Sequence, residues 1–140
     1  MAKSHRFAAQ VLEWVFHGVA PAWTQNAHFW ISLHTGDPGG PGSAQSDSET
    51  TYEGYRRQSL ARSSSAVPVD RERREVTNLV QVEFPVCTKD GGGTVTHYGI
   101  GTDSGGEGML VYSGLLDEPM AVQRRQAPRI PVRGLSVREI

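Results

Sequence analysis

The sequence predicts a mainly β protein, an antiparallel β-sandwich or jelly-roll-like barrel with one N-terminal α-helix. Only residues 4–18 carry apolar side chains at helical spacings of three and four. Several later segments alternate apolar and polar residues, with turn signals about every 8–12 positions. No helical pattern separates these segments, so the parallel strands of βαβ units are not expected. With 140 residues, the chain is predicted to form a single β-rich domain over residues 1–140.

Composition excludes several classes of function. The hydrophobic fraction of 37% is typical of a globular protein, and the net charge of −1 gives no global preference for nucleic acid. We expect no membrane span, because the chain has no sufficiently long apolar run, and no secretory signal, so folding in a cytoplasm is predicted. Cys87 is the one cysteine, which excludes an internal disulfide.

The segment "SHRFAAQVLEWVFHG" predicts an amphipathic helix over about residues 5–17. Ser4 is a suitable N-cap, and Gly18 can end the helix in a left-handed conformation. Phe16 lies off the apolar stripe and is a candidate to face a partner. The predicted core-facing stripe consists of Phe7, Val11, Trp14, Val15 and Val19.

Alternation predicts the strands. In "HFWISLH", residues 28–34, the apolar residues Phe29, Ile31 and Leu33 share one face. The polar segment 36–54 has few apolar residues, so we expect a long surface loop there. A change of parity at Gly134 predicts a bulge or bend in the last strand. The further predicted strands cover residues 55–63, 76–86, 94–102, 109–116 and 129–139.

Two residue groups are candidates for catalysis or metal binding. The segment "GTDSGGEG", residues 101–108, superficially resembles the surroundings of a nucleophilic serine. Ser104 would be the nucleophile, with His34 and Asp37 as the histidine and aspartate of a catalytic triad. A glycine-rich hairpin turn explains the same residues. Three strand histidines, His28, His34 and His97, could bind zinc but lack a closely spaced ligand pair. We predict no enzymatic activity, no cofactor and no metal site.

Aromatic and basic residues are candidates for partner contacts, although an aromatic cluster more often belongs to a core than to an interface. All three tryptophans lie in the first 55 residues, and residues 120–140 contain five arginines against one acid. No aromatic residues interleave these arginines to stack bases, so a solvated strand face is a better interpretation than a nucleic-acid patch. A basic surface for an acidic protein partner is a third interpretation. The predicted partner-binding residues are Trp30, Asp37, Tyr52, Tyr55, Arg124, Arg125 and Arg129.

The order of motifs resembles a family of small tailed-bacteriophage virion structural proteins. The resemblance is carried by "ISLHTGDPG", "YEGYRRQ" and "VTHYGIGTDSGGEGMLVYSGLL", and it covers roughly residues 7–137. These motifs are turns and core positions rather than catalytic residues. The size and pattern also resemble the capsid cement (decoration) protein of a Bordetella phage.

The resemblance implies a cement protein that binds the outer surface of the major capsid protein shell and stabilises the DNA-filled head. A homodimer on the capsid surface of the virion, made in the host bacterial cytoplasm, would suit that role. The charged segment "VDRERREV" departs from simpler members of the family. Three alternatives stay open: a tail- or fibre-associated virion protein, a carbohydrate-binding surface module, and a small hydrolase using His34 and Ser104.

Overall fold

The structure is a computed structural model that describes residues 2–39 and 44–139. Helix α1 spans His5–His17, in agreement with the predicted range. Its first turn is capped by the Ser4 hydroxyl, which accepts a hydrogen bond from the Phe7 amide at 3.0 Å. Gly18 ends α1 with a φ of 69°, a left-handed conformation that favours glycine. A short 3₁₀ helix follows at Ala22–Gln25.

All strand pairs in the described ranges are antiparallel. This confirms a mainly β fold with one helix near the N-terminus. The strands are β1 (Ala2–Lys3), β2 (His28–His34), β3 (Gln58–Ala61), β4 (Val69–Asp70), β5 (Glu75–Thr77), β6 (Val82–Glu83), β7 (Thr94–Gly101), β8 (Leu110–Ala121), β9 (Arg129–Ile130) and β10 (Ser136–Arg138).

A five-stranded sheet, in the order β1-β8-β7-β2-β3, forms one layer of the molecule. A three-stranded sheet, β10-β5-β4, and a two-stranded sheet, β6-β9, contribute to the same apolar core. Ile31 and Leu33 of β2 share that core with Val82 of β6, Ile130 of β9 and Val137 of β10. The packing of strands from all three sheets around one core is consistent with the predicted β-sandwich.

The opposite face of the five-stranded sheet is covered by the chain that follows β2. Side chains alternate along a strand, so Ser32 and His34 point away from Ile31 and Leu33. The backbone of residues 48–50 bonds to the end of β2, and Gln45 lies against Gly101 of β7.

The prediction of a surface loop over residues 36–54 is therefore wrong for much of its second half. Ala44, Gln45, Thr50 and Tyr52 are buried, although their neighbours at 46–48 and 53–54 are exposed. Residues 40–43 of that predicted loop lie outside the described residues. Hydrogen bonds hold three of these residues in place, because Thr50 bonds to Leu33, Gln45 to Asp103 and Tyr52 to Pro85.

Two predicted strands are interrupted, and Asn78 explains why. Its amide group donates to the carbonyls of Val80 and Pro131, and its side-chain oxygen accepts from the Leu135 amide. A buried side chain that bonds to the backbone in this way competes with a strand ladder. The predicted strand 76–86 is thus divided into β5 and β6, and the strand 129–139 into β9 and β10.

Candidate functional site

A buried ion pair anchors the segment that follows β2. The Arg57 guanidinium contacts both carboxylate oxygens of Glu49, at 2.8 and 2.9 Å, and also donates to the carbonyls of Asp103 and Gly106. The Tyr55 hydroxyl donates to the same carboxylate, and this bond together with burial raises the pKa of Tyr55. Both oxygens of Glu49 are therefore engaged within the protein, and this cluster has a structural role.

His34 belongs to the same buried region. Its Nδ1–H donates to the Asp47 carbonyl at 2.8 Å, which leaves Nε2 to accept the Ser32 hydroxyl proton at 2.7 Å. Burial lowers the pKa of His34, so the ring is held neutral. Ser32 and His34 are both fully buried, so a substrate has no access to this pair.

The described residues do not form the catalytic site or the zinc site considered from the sequence. Both ring nitrogens of His34 are occupied by Ser32 and Asp47, and the exposed Ser104 is not bonded to His34. Asp37 instead uses Oδ1 to accept a hydrogen bond from the Gly39 amide at 2.8 Å. Within residues 2–39 and 44–139, no group of three His, Cys, Asp or Glu side chains is placed to hold a metal ion.

Helix α1 divides into an inner and an outer face. On the inner face, the Phe7 ring packs against the rings of Trp23 and Tyr112, with centroids 5.3 and 5.2 Å away. Gln10 accepts a hydrogen bond from the Trp23 indole at 2.7 Å, and Trp14 meets Trp23 edge-on. These contacts fix the orientation of α1 on the five-stranded sheet.

The outer face of α1 is apolar and exposed. Within the helix, Leu12, Val15 and Phe16 recur at i, i+3 and i+4, the spacing of a single helical stripe, and Val19 lies just beyond the Gly18 cap. We call this set the helix face: Leu12 (59% exposed), Val15 (66%), Phe16 (75%) and Val19 (56%). The sequence-based stripe wrongly assigned Val15 and Val19 to the core, whereas the prediction that Phe16 lies off the core-facing side agrees with its exposure. Nothing among the described residues covers the helix face, so it is available for a protein partner.

A polar groove lies on the sheet surface near β2 and β3. One part, about 570 Å³, is lined by Trp30, Tyr55, Arg56 and Gln58 among others. An adjoining part, about 430 Å³, is lined by Asn26 and His28 and shares Trp30, Ser104 and Gly105 with the first. Two predicted partner-binding residues, Trp30 and Tyr55, are thus brought together.

The remaining predicted contact residues are distributed elsewhere. Tyr52 is buried, and its hydroxyl donates to the Pro85 carbonyl at 2.6 Å, so its prediction as a contact residue is wrong for this conformation. Asp37 is exposed at the end of β2, away from the groove lining. Arg124 and Arg125 are exposed after β8, and Arg129 is exposed on β9.

In a comparison with protein-family models, the chain matches the family described as Podophage GP4 fiber I protein gp80 over residues 2–138. The chain belongs to this family. It is therefore a bacteriophage virion structural protein, as the sequence resemblance implied at that level. A comparison with curated proteins finds no match. The match spans the helix, all three sheets and both exposed surfaces described above.

Membership of the gp80 family supports one of the functions considered from the sequence more than the others. The family description names a fibre protein, which fits the tail- or fibre-associated alternative better than capsid decoration. It gives no support to the major capsid protein as the specific partner. Within the described part of the chain, no helix has the length and apolar character needed to cross a membrane.

Sequence reasoning missed most of the helix face. Leu12 and Phe16 are one helical turn apart, and neither belongs to the stripe assigned from the sequence. Each has an apolar residue three positions later in the sequence. The signal that could have identified the helix face was the number of apolar positions, which exceeds what one core-facing side of a helix requires. The groove residues Arg56, Gln58 and Ser59 had no distinctive spacing. The antiparallel pairing of β2 with β3, which places Ser59 opposite Trp30, is what brings them to the groove.

Proposed function

We propose that this protein is a tail- or fibre-associated structural component of a podophage virion. The observation that carries the proposal is the family match over residues 2–138, whose description names a fibre protein. The exposed helix face supports it, since a structural component needs surfaces that remain available after the subunit folds. In this proposal the protein acts by binding other virion subunits rather than by catalysis.

The partner proposed for the helix face is a second copy of the chain. In an antiparallel pair of α1 helices with Leu12 on the two-fold axis, Ala8 faces Phe16 of the other copy and Ala9 faces Val15. Each large side chain then meets a small one, so the face is complementary to itself, as a two-fold interface requires. Full burial of each large apolar side chain in this contact contributes roughly 1.5–3 kcal/mol to the stability of the dimer.

Sedimentation velocity tests the pairing of copies. Wild-type protein is expected to sediment as a dimer, and a Leu12→Gln/Phe16→Gln double variant as a monomer. The matched control is Leu115→Gln, because Leu115 is 69% exposed on β8 and lies outside the helix face. A wild-type monomer at tens of micromolar, or a double variant that remains dimeric, contradicts the pairing but leaves the assignment to the fibre intact.

Labelled virions test the assignment to the fibre. A tag attached after residue 138, imaged by electron microscopy, is expected on fibres, and particles without the protein should lack fibre density while their filled heads survive heating. Capsid cement requires the opposite result. Labels over the whole head, a copy number like that of the major capsid protein, and heads that leak DNA without the protein would establish the cement role instead.

A further inference from the structure

The groove around Trp30 has a composition suited to a ligand that is apolar on one face and polar at its edges. Trp30 lies on β2 between Phe29 and Ile31, so strand alternation turns its indole away from the sandwich core. It is half-exposed and lines both parts of the groove. An indole in this position offers a flat apolar surface and an N–H donor at one edge.

Hydrogen-bonding groups surround that indole. The Arg56 guanidinium and the hydroxyls of Ser59 and Ser104 line the groove and have no side-chain partner among the described residues. The Gln58 amide N–H₂ donates to the carbonyls of Arg56 and Arg57, which leaves its oxygen as an acceptor. The groove therefore presents both donors and acceptors around one aromatic surface.

The wall of the groove is held rigid from within. The Arg57–Glu49 ion pair joins the residue before β3 to the segment after β2. Arg57 also bonds to the turn after β7 through the carbonyls of Asp103 and Gly106. Tyr55 is fixed by its bonds to Glu49 and to the Leu33 amide. A preformed wall reduces the conformational entropy lost when a ligand binds.

The formal charges of the lining cancel. Arg57 is paired with Glu49, and the remaining charged residues of the two parts are Arg56 and Asp103. One remaining cation and one remaining carboxylate in the two parts of the lining give little attraction for a polyanion, which disfavours nucleic acid. An uncharged ligand rich in hydroxyl groups is the better match.

We propose that the Trp30 groove binds a neutral saccharide. The apolar C–H face of a pyranose ring would stack on the Trp30 indole. Its hydroxyl groups would bond to Arg56, Gln58, Ser59 and Ser104 at the rim. This proposal is independent of the pairing through α1 and of the position of the protein in the virion, because the groove lies outside the helix face.

The test begins with wild-type protein on an array of bacterial oligosaccharides that includes neutral and acidic glycans. The strongest neutral glycan is then titrated by calorimetry against Trp30→Ala, Trp30→Phe and Trp14→Ala. Trp30→Ala should weaken binding roughly tenfold or more, because the stacking surface is lost, and Trp30→Phe should weaken it less. Trp14→Ala removes a tryptophan outside the groove and should bind as the wild type does.

A second readout separates loss of the groove from loss of the fold. Glycan addition should change tryptophan fluorescence in the wild type and in Trp14→Phe but not in Trp30→Phe. The conservative Phe variant retains an aromatic ring, so it keeps the proposal testable even if Trp30→Ala does not fold. Three results overturn the proposal: no glycan bound by the wild type, equal binding by Trp30→Phe and Trp30→Ala at wild-type affinity, or binding restricted to acidic glycans.

Discussion

At the residue scale, Arg57 joins three parts of the chain through one buried guanidinium. Its side chain is 3% exposed and that of its partner Glu49 is 13% exposed. We predict that Arg57→Ala lowers the free energy of unfolding by about 3 kcal/mol, because Glu49 then remains as a mostly buried carboxylate without its cation. Urea denaturation measures the difference.

The neighbouring arginine is the matched control for that change. Arg56 is exposed, and Arg56→Ala should alter the free energy of unfolding by no more than about 0.5 kcal/mol. Equal losses in the two variants would mean that the ion pair contributes no more than an ordinary surface contact. A combined Arg57→Ala/Glu49→Ala variant should recover part of the loss, since it leaves no buried charge.

His34 makes stability depend on pH in a defined direction. Burial lowers its folded-state pKa below the ordinary histidine value of 6.5. As the pH falls through the unfolded-state pKa, the unfolded chain takes up a proton that the folded chain does not, so the folded state loses stability until its own pKa is reached. We predict that the free energy of unfolding falls as the pH is lowered from about 7 through the ordinary titration range of histidine.

A histidine variant separates this effect from the titration of other groups. His34→Gln removes the titrating ring and should flatten the pH dependence over that interval, even if the variant is less stable throughout. Urea denaturation at several pH values provides both slopes, and identical slopes for the wild type and His34→Gln would contradict the role of His34.

At the scale of elements, the contact between Gln45 and β7 holds the segment after β2 against the sheet. The Gln45 side chain bonds to the Asp103 backbone in both directions, at 2.9 and 3.2 Å. A Cβ atom at Gly101 would overlap that side chain. We predict that Gly101→Ala costs about 2 kcal/mol of unfolding free energy, because it displaces a buried amide from its partners.

The same contact allows a double-mutant test. Gln45→Ala removes the side chain that the new methyl group would meet, so Gly101→Ala should cost less in the Gln45→Ala background than in the wild type. The space around Gly105 is open, so Gly105→Ala is the control and should be close to neutral. Additive losses in the double variant would show that Gly101 and Gln45 do not interact.

Local patterns predicted the elements whose contacts are local or periodic. The caps at Ser4 and Gly18 define α1, and alternation defines β2 and β7. The folded segment 44–57 depends instead on Gln45 and Arg57 meeting residues far along the chain. For the same reason the groove was predicted only in part: Trp30 and Tyr55 are distinctive residue types, whereas their polar neighbours become neighbours only after folding.

At the scale of the whole molecule, the shared core determines how the protein unfolds. The core cluster takes residues from the five-, three- and two-stranded sheets, including Leu33, Val82 and Val137. The two-stranded sheet has too few strands to be stable alone, and the strands of the three-stranded sheet have only two or three residues each. We therefore propose that the described residues behave as one cooperative unit, in line with the single domain predicted from the sequence.

Two spectroscopic probes test this cooperativity, because they observe different parts of the fold. Tryptophan fluorescence reports on α1, the 3₁₀ helix and β2, where Trp14, Trp23 and Trp30 lie. Far-ultraviolet circular dichroism reports on all the sheets. We predict the same urea midpoint for both signals, as two-state unfolding requires. An earlier fluorescence transition would show that α1 and its contacts unfold separately, and the exposed helix face would then belong to a detachable element rather than to a rigid surface.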